Sequence, residues 1–219
     1  EPNTSPEPTY FLSKKAKENN YIVLHNALGL DELFYGYSYY VKAKKIQKFP
    51  GFIWKFGGYF LKGSKKRKHD EISKFGLEST PFVMRSIASW NEIQKLFQKY
   101  GSENWEHPIL ALLKQVKTSN QSFDQMPLLK KISYLDFYYY ISSHHSLLSD
   151  LPSMKNETEM RFPYLDHLFV QKYFNQSNLD NGLTLAHNKP FLRKSVQSIL
   201  PKDVLSMPKK VFRCQLQSG

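Results

Sequence analysis

The chain has 219 residues, enough for one globular domain and barely for two. Hydrophobic residues make up 41% and charged residues 23%, a composition typical of folded proteins that excludes disordered and collagen-like chains. Thirty-one Lys and Arg against 19 Asp and Glu give a net charge of +12. This charge favours polyanionic partners and leaves nucleic acid, an anionic membrane surface and nucleotide phosphates all open.

The single cysteine, Cys214, excludes an intramolecular disulfide framework and any multi-thiolate metal site within the chain. A reducing compartment is therefore expected, and we predict the cytoplasm. No stretch approaches the roughly 18 to 20 apolar residues of a membrane span, and residues 1–10 have no features of a secretory leader. We expect no membrane partner. Because the chain begins with Glu1 and not Met, we expect a processed product or a piece of a longer protein.

The first informative unit is a helix, a strand and a second helix. Residues 9–19 predict a short helix, and residues 21–25 (YIVLH) predict a buried strand. A glycine-containing turn follows, and the next segment, DELFYGYSYY, starts with two acids where the helix macrodipole favours them. The pattern predicts an α/β unit, and α/β folds bind ligands in the turn after such a strand.

The turn at residues 26–32 is the first candidate site. A buried strand that leads into a helix N-terminus presents free N–H groups to a phosphate or carboxylate. Asp31 and Glu32 beside such a site are explained if a divalent cation bridges them to phosphates. The alternative is an ordinary acidic first turn that stabilises the helix dipole.

The rest of the chain is predicted to be mainly helical. Residues 42–74 contain eleven Lys or Arg and two acids, a net charge of +9, and their lack of a sustained period predicts a basic loop or insertion. The run Lys65 to Lys68 within it is either a polyanion-binding patch or a charged surface loop. Helices are predicted at residues 80–100, from Pro108, at 128–152, at 164–174 and at 190–200. The fold class is α/β and predominantly helical.

Two further groups of charged residues are candidates. Glu159, Arg161 and Asp166 alternate with apolar residues, which suggests a partly buried ion-pair network, usually structural. Lys189 and Arg193 stand at the start of a predicted helix, and Lys209 follows near the C-terminus. Lysines in such positions are also commonly solvated.

These stretches together resemble the synthetase domain of the glutamine-dependent asparagine synthetases. The first turn is similar to the family motif Ser-Gly-Glu-Gly-X-Asp-Glu-Leu-Phe-Gly-Gly-Tyr, with matches at Gly29, Asp31, Glu32, Leu33, Phe34, Gly36 and Tyr37. Residues 150–167 resemble, without a gap, the motif Asp-Arg-X-Ser-Met…Glu-X-Arg-X-Pro-Phe-Leu-Asp-His. Lys189, Leu192 and Arg193 resemble the Lys-X-X-Leu-Arg helix, and residues 200–212 resemble the closing Leu-Pro…Lys-X-X-Phe element. Residues 42–125 match only loosely.

The resemblance implies a single partial domain over residues 1–219, of the adenine nucleotide alpha-hydrolase type and without its first strands. It also implies ATP and Mg²⁺ as cofactors. In the family, ATP activates a side-chain carboxylate, that of aspartate or another acid, as an acyl-adenylate. Ammonia from a glutaminase domain, which this chain does not contain, then attacks the acyl-adenylate.

The resemblance assigns roles to individual residues. Lys209 matches the catalytic lysine that neutralises phosphate charge, and Asp31 matches the acid near Mg²⁺-pyrophosphate. The positions that match the nucleotide-binding residues are Asn26, Ala27, Gly29 and Glu32. The remaining matches are expected in substrate contacts or structural ion pairs: Glu159, Arg161, Asp166, Lys189 and Arg193.

Departures from the family pattern limit these expectations. The pyrophosphate loop Ser-Gly-Gly-X-Asp-Ser and the leading glutaminase cysteine are expected upstream of Glu1, and we therefore predict that the chain is inactive alone. Leu28 replaces a glutamate tied to amide formation and cannot transfer a proton, which favours a divergent amide-forming enzyme. The alternative function is a non-catalytic scaffold that binds a polyanion or protein partner through residues 42–74. Nucleic acid is not the expected partner, and a homodimer stays open.

Overall fold

The computed structural model describes residues 6–86, 88–99 and 106–207. The chain forms two compact units, one made of Glu1–Val41 with Ser133–Gly219 and the other of Lys42–Ile132. In chain order the described α-helices are α1 (Pro6–Glu18), α2 (Leu30–Leu33), α3 (Ser38–Ile46), α4 (Gly51–Gly57), α5 (Gly63–Phe75), α6 (Thr80–Arg85), α7 (Trp90–Lys99), α8 (Pro108–Ser119), α9 (Leu128–Leu135), α10 (Ser146–Met154), α11 (His167–Phe174), α12 (Pro190–Ser195) and α13 (Lys202–Ser206). A π-helix (Asp136–His145) connects α9 to α10, and 3₁₀ turns occupy Gly58–Phe60, Leu77–Ser79, Phe123–Gln125 and Pro163–Leu165.

The described part of the first unit contains a parallel pair of strands, β1 (Val23–His25) and β2 (Glu159–Arg161). Leu24 lies opposite Met160 in the register. The structure therefore agrees with the predicted α/β class, mostly helical with a small parallel sheet. The expected burial of β1 is wrong: Ile22 is exposed and β1 is at most half-buried, because two strands leave the sheet without a complete covering layer.

Helix α1 is fixed to the segment that precedes β2 by buried polar groups. The side-chain nitrogen of Asn156 donates to the Tyr10 carbonyl oxygen at 2.9 Å and to Ser13 Oγ at 2.8 Å. Ser13 and Thr158 are fully buried, and the Thr158 hydroxyl donates to the Ser13 carbonyl oxygen at 3.4 Å. These contacts hold β2 beside β1 although the two strands are far apart in sequence.

The long helical segment predicted at residues 128–152 is confirmed as α9, the π-helix and α10 in succession. Its wider π turns begin at Asp136, which is completely buried. Pro152 lies inside the last turns of α10 and does not end the helix. Asp136 of this segment accepts hydrogen bonds in the buried cluster described below.

Residues 42–74 were predicted to be a basic loop or insertion. The loop alternative is wrong, because the structure has α4, α5 and the end of α3 there. Helix α5 buries His69, Ile72 and Phe75, which are spaced at a helical period between exposed lysines. The run of basic residues and the polar histidine conceal this buried face in the sequence.

The helix predicted at residues 80–100 is two helices, α6 and α7. Ser86 is extended, and Ser89 starts α7 with a capping box in which Glu92 Oε2 accepts hydrogen bonds from the Ser89 backbone N–H and hydroxyl. Helix α8 begins at Pro108 as predicted. Among the residues that the structure describes, no helix is both long enough and apolar enough to cross a bilayer.

Candidate functional site

The site is built at the point where both strands end. The Asn26 backbone N–H donates to the Arg161 carbonyl oxygen at 2.8 Å, which extends the parallel pairing by one residue. Asn26 Oδ1 accepts from the Leu28 N–H at 2.9 Å and thereby fixes the turn. Gly29 has φ +96°, and a Cβ there would lie 2.5 Å from Leu165 Cδ2. Only glycine fits this close approach, so the turn after β1 packs directly on the turn after β2.

Helix α2 directs its two acids into different surroundings. The side chain of Asp31 is 27% exposed, whereas Glu32 is 1% exposed. Asp31 packs against Gly36, where any side chain would collide with the Asp31 carboxylate. The Gly36 N–H also donates to the Asp31 carbonyl oxygen at 2.7 Å. These contacts give physical reasons for Asp31 and Gly36 to occur together.

The partly exposed side of α2 contains an ion pair that the sequence did not predict. Lys189 Nζ lies 3.0 Å from Asp31 Oδ1, and the lysine side chain is 24% exposed. Phe34, at the end of α2, stacks on Phe191 with ring centroids 6.0 Å apart, which holds the start of α12 against α2. Lys189 itself has φ +51°, a left-handed conformation that is uncommon for a lysine. The packing of α12 therefore brings two separately predicted site residues into contact.

Arg193 of α12 connects the residues before and after this helix by hydrogen bonds to backbone and side-chain acceptors. Its Nε donates to the Asn188 carbonyl oxygen at 2.9 Å, and its Nη2 donates to Asn188 Oδ1 at 3.1 Å. The same guanidinium donates to the carbonyl oxygens of Leu205 and Met207. The Asn188 side chain is buried and donates to the Gly36 carbonyl oxygen at 3.4 Å. A chain of contacts therefore leads from Gly36 to Met207. Lys209, the predicted catalytic lysine, lies outside the described residues.

The buried side of α2 holds a carboxylate–tyrosine cluster made of Glu32, Asp136, Tyr37, Tyr39 and Tyr40. The Tyr37 hydroxyl donates to Glu32 Oε1 at 2.8 Å. The hydroxyls of Tyr39 and Tyr40 each donate to Asp136 Oδ2 at 2.6 Å. Burial, reinforced by the nearby Asp136, raises the pKa of Glu32 to about 7, although the hydrogen bond from Tyr37 opposes the shift.

Comparison with known proteins identifies the family of this chain. The model of the asparagine synthase family matches residues 2–219, nearly the whole chain. The chain belongs to the asparagine synthase family. It is 27% identical to asparagine synthetase [glutamine-hydrolyzing] 1 of Bacillus subtilis strain 168, in an alignment covering 94% of this chain and 32% of the relative. The chain thus spans about a third of that relative's length. No solved structure gives a significant match.

Glu159, Arg161 and Asp166 of this asparagine synthase family chain were predicted in a partly buried ion-pair network. The Glu159–Arg161 pair is present, but its predicted partial burial is wrong. Arg161 Nε lies 2.8 Å from Glu159 Oε1, but both side chains are 56% exposed. In β2 they occupy alternate positions and therefore share one face, while Met160 points to the buried face. Asp166 is exposed and caps α11, since its Oδ1 accepts from the N–H groups of Leu168 and Phe169.

The nucleotide-binding positions expected from the family are divided between surface and core. Ala27 is exposed, Asn26 is half-buried with its side chain used in the turn, and Gly29 is buried. Glu32 lies in the carboxylate–tyrosine cluster, which favours a structural role for its side chain. Sequence reasoning missed Asn188, although it directly precedes the Lys-X-X-Leu-Arg match. It also missed Asp136, which no local pattern distinguishes from a surface acid.

Proposed function

We propose that this chain forms part of the nucleotide site of an ATP-dependent, amide-forming ligase. The observation that carries the proposal is the contact between Asp31 and Lys189 at the carboxyl ends of β1 and β2. Ligands of α/β folds bind at this edge. The family membership supplies the reaction class, and the family's reaction is amide formation on an adenylated carboxylate.

The charges at this edge suit the chemistry of adenylation. When a carboxylate attacks the α-phosphorus of ATP and expels pyrophosphate, negative charge accumulates on the phosphate oxygens and must be offset. Lys189 is a cation already positioned at the site, and we propose Lys209 as the second. Arg193 supports this assignment because it fixes Met207, two residues before Lys209. In this proposal the turn from Asn26 to Gly29 lies along the nucleotide.

The residues fit Mg²⁺ as an ion that arrives with ATP. In the part of the chain that the structure describes, no group of three or more His, Cys, Asp or Glu side chains could hold a metal alone. Mg²⁺ bound with nucleotides commonly uses one or two protein carboxylates and completes its coordination with phosphate oxygens and water. Asp31 is the carboxylate on the partly exposed side of α2 that would serve, and Glu32 faces the core. When bound, Mg²⁺ would neutralise phosphate charge.

The family's reaction indicates the substrates, and the sequence departs from the family pattern at Leu28. The acyl donor is aspartate or another carboxylate, the nitrogen comes from ammonia, and the cytoplasm supplies both. Leu28 is a half-buried residue of the turn and has no group that can accept or donate a proton. We therefore propose that amide formation in this protein proceeds without a proton-transferring side chain at position 28.

The test is ATP–pyrophosphate exchange by the full-length product of the gene that encodes this chain, assayed with aspartate and a panel of other carboxylates. Exchange with at least one acid is expected, and Asp31→Asn should lower it about 100-fold, the effect of removing one electrostatic contact to the transition state. Asp124→Asn is the matched control, since Asp124 is an exposed acid of the other unit. No exchange with any acid, under conditions where a known synthetase works, would overturn the proposal and leave the non-catalytic scaffold as the candidate.

A further inference from the structure

Residues 49–60, here termed the aromatic segment, expose an unusual concentration of large apolar side chains. The segment comprises α4, the following 3₁₀ turn and the two residues that precede α4. Its helical rise limits its length to about 20 Å. The exposed side chains are Phe49, Phe52, Ile53, Tyr59 and Phe60. Several exposed apolar side chains within so short a segment indicate an interaction surface, whereas single exposed apolar residues are ordinary.

Trp54 and Gly58 anchor the aromatic segment, while the rings of Phe49, Phe52, Tyr59 and Phe60 are exposed. His69 of α5 is buried, its Nε2 lies 2.8 Å from the Trp54 carbonyl oxygen, and its ring lies 4.2 Å from the Trp54 ring. Gly58 packs so closely on His69 that a Cβ would lie 2.5 Å from its ring. By contrast, Tyr59 is 81% and Phe60 is 87% exposed. The segment is therefore fixed by its packing on His69, while the rings of Tyr59 and Phe60 are exposed.

Exposed lysines flank the aromatic segment in the sequence. Lys45 and Lys48 precede it, and Lys62 and Lys65 follow it. Residues 42–74 as a whole have a net charge of +9, since eleven basic residues face two acids. One of those acids, Asp70, is paired with Lys66 at 3.2 Å. The part of the chain that carries the exposed rings is therefore strongly positive.

We propose that the aromatic segment binds the surface of an anionic phospholipid bilayer. Phe52, Tyr59 and Phe60 insert into the boundary between headgroups and acyl chains, and the flanking lysines contact the headgroup phosphates and carboxylates. Exposed aromatic and aliphatic side chains combined with lysines are the features of peripheral binding. The sequence expectation of no membrane partner rested on the absence of a spanning segment, which does not test a peripheral surface. This proposal does not depend on the ligase proposal.

Two other occupants fit the observations less well. Proteins that bind single-stranded nucleic acid stack bases on rings that line a basic groove, whereas rings exposed as fully as Tyr59 and Phe60 line no groove wall. Arg67 is the single arginine of residues 42–74, and it contacts the Ser86 carbonyl oxygen and Glu92 within the protein. A symmetric contact with a second copy would place two segments, each with a net charge of +9, against each other. Their electrostatic repulsion disfavours such a contact.

Vesicle flotation tests the proposal. The chain should float with phosphatidylcholine vesicles that contain about 30% phosphatidylserine and should not float with pure phosphatidylcholine. An aromatic triple variant should reduce the partition coefficient at least ~10-fold through lost apolar insertion: Phe52→Ser, Tyr59→Ser and Phe60→Ser. A charge triple variant should reduce it ~100-fold or more, given the attraction contributed by each lysine: Lys45→Glu, Lys48→Glu and Lys62→Glu.

Matched control variants distinguish binding by the aromatic segment from nonspecific hydrophobic adsorption and from an effect of net charge. The apolar control changes exposed side chains of the first unit, and it should bind like the unchanged chain: Leu151→Ser, Leu185→Ser and Ile199→Ser. The charge control has the same net charge as the lysine triple and should retain most of the binding: Lys14→Glu, Lys114→Glu and Lys202→Glu. Circular dichroism of each variant verifies folding, which these exposed positions should not disturb.

Several outcomes would overturn the proposal. Equal flotation with neutral vesicles would remove the role of the lysines, and equal loss in a control triple would remove the role of this segment. Tighter binding to a single-stranded oligonucleotide, abolished by the aromatic triple, would assign the surface to nucleic acid. Self-association in analytical ultracentrifugation, lost in the aromatic triple and without flotation, would assign it to a second copy. Absence of binding in every assay would also refute it.

Discussion

The two sides of helix α2 differ although Asp31 and Glu32 are adjacent in the chain. On one side, Asp31 is partly exposed and paired with Lys189, which directly precedes α12. On the other, Glu32 is buried among tyrosines and faces a second buried acid, Asp136. Successive helical residues point about 100° apart, so one short turn divides a two-acid motif between a site and a core. Adjacent matches to a family motif therefore do not imply a shared role.

The two sides also neutralise their carboxylates differently. Asp31 is paired with the cation of Lys189, which offsets its negative charge. Glu32 accepts a hydrogen bond from the Tyr37 hydroxyl, and its pKa, raised to about 7 by burial, makes the protonated form prevalent up to near neutral pH. The exposed side is thus suited to a charged ligand, while the buried side responds to pH.

The largest effect is expected on the buried side, from Asp136→Ala. This change leaves the hydroxyls of Tyr39 and Tyr40 without their carboxylate acceptor, and the free energy of unfolding should fall by about 4 kcal/mol. Urea denaturation measures the loss. Asp150→Ala, at an exposed position of α10, should change stability by less than about 0.5 kcal/mol. A loss below about 1 kcal/mol for Asp136→Ala would mean that the cluster contributes little to stability.

A pH dependence of about 3 kcal/mol is expected from Glu32. Its pKa is about 7 in the folded chain against an ordinary value of 4.5, so unfolding releases a proton between these pH values. Stability should therefore fall as pH rises from 4.5 to 7 and level off above 7. Glu32→Gln keeps an acceptor for Tyr37 and cannot ionise. Urea denaturation at pH 4.5 and pH 8 should show the fall in the unchanged chain, and an equal fall in Glu32→Gln would disprove the assignment.

On the exposed side, Arg193→Lys should lower the stability of the contacts between α12 and residues 205–207 by about 2 kcal/mol. A lysine keeps the charge but cannot reach Asn188, Leu205 and Met207 together. Hydrogen–deuterium exchange should accelerate in peptides that contain residues 188 and 202–207. The neighbouring exposed Lys194 provides the control, and Lys194→Ala should leave exchange unchanged. If Arg193→Lys exchanged like the unchanged chain, charge alone would account for the role of Arg193.

Elements with strong local patterns could be predicted from the sequence. The β-branched residues Ile22 and Val23 indicated β1, Pro108 marked the start of α8, and the long apolar segment indicated residues 128–152 as helical. Strand β2 could not be predicted, since Glu159–Arg161 has one apolar residue and its partner lies far away in sequence. The same limit applied to α5, whose buried face includes a histidine among lysines.

The sequence identified individual residues of the candidate site but not how they are arranged in space. Motif matches selected Asp31, Lys189 and Arg193, yet they gave no reason to pair the first two. That pairing depends on Phe34 packing against Phe191, a tertiary contact that neither local segment encodes alone. For the same reason, the opposite environments of the two adjacent acids were not visible in the sequence.

The smallest effect expected is the coupling between Asp31 and Lys189. A double-mutant cycle with Asp31→Asn and Lys189→Gln should give about 1 kcal/mol, since both groups are about a quarter exposed and solvent screens the pair incompletely. The exposed pair Lys15 and Glu18 is the control and should give about 0.3 kcal/mol or less. Raising NaCl to about 0.5 M should reduce the control coupling by the larger fraction. Equal couplings would show that the enclosure around Asp31 does not strengthen the ion pair, and the difference between the two sides of α2 would then rest on the buried cluster alone.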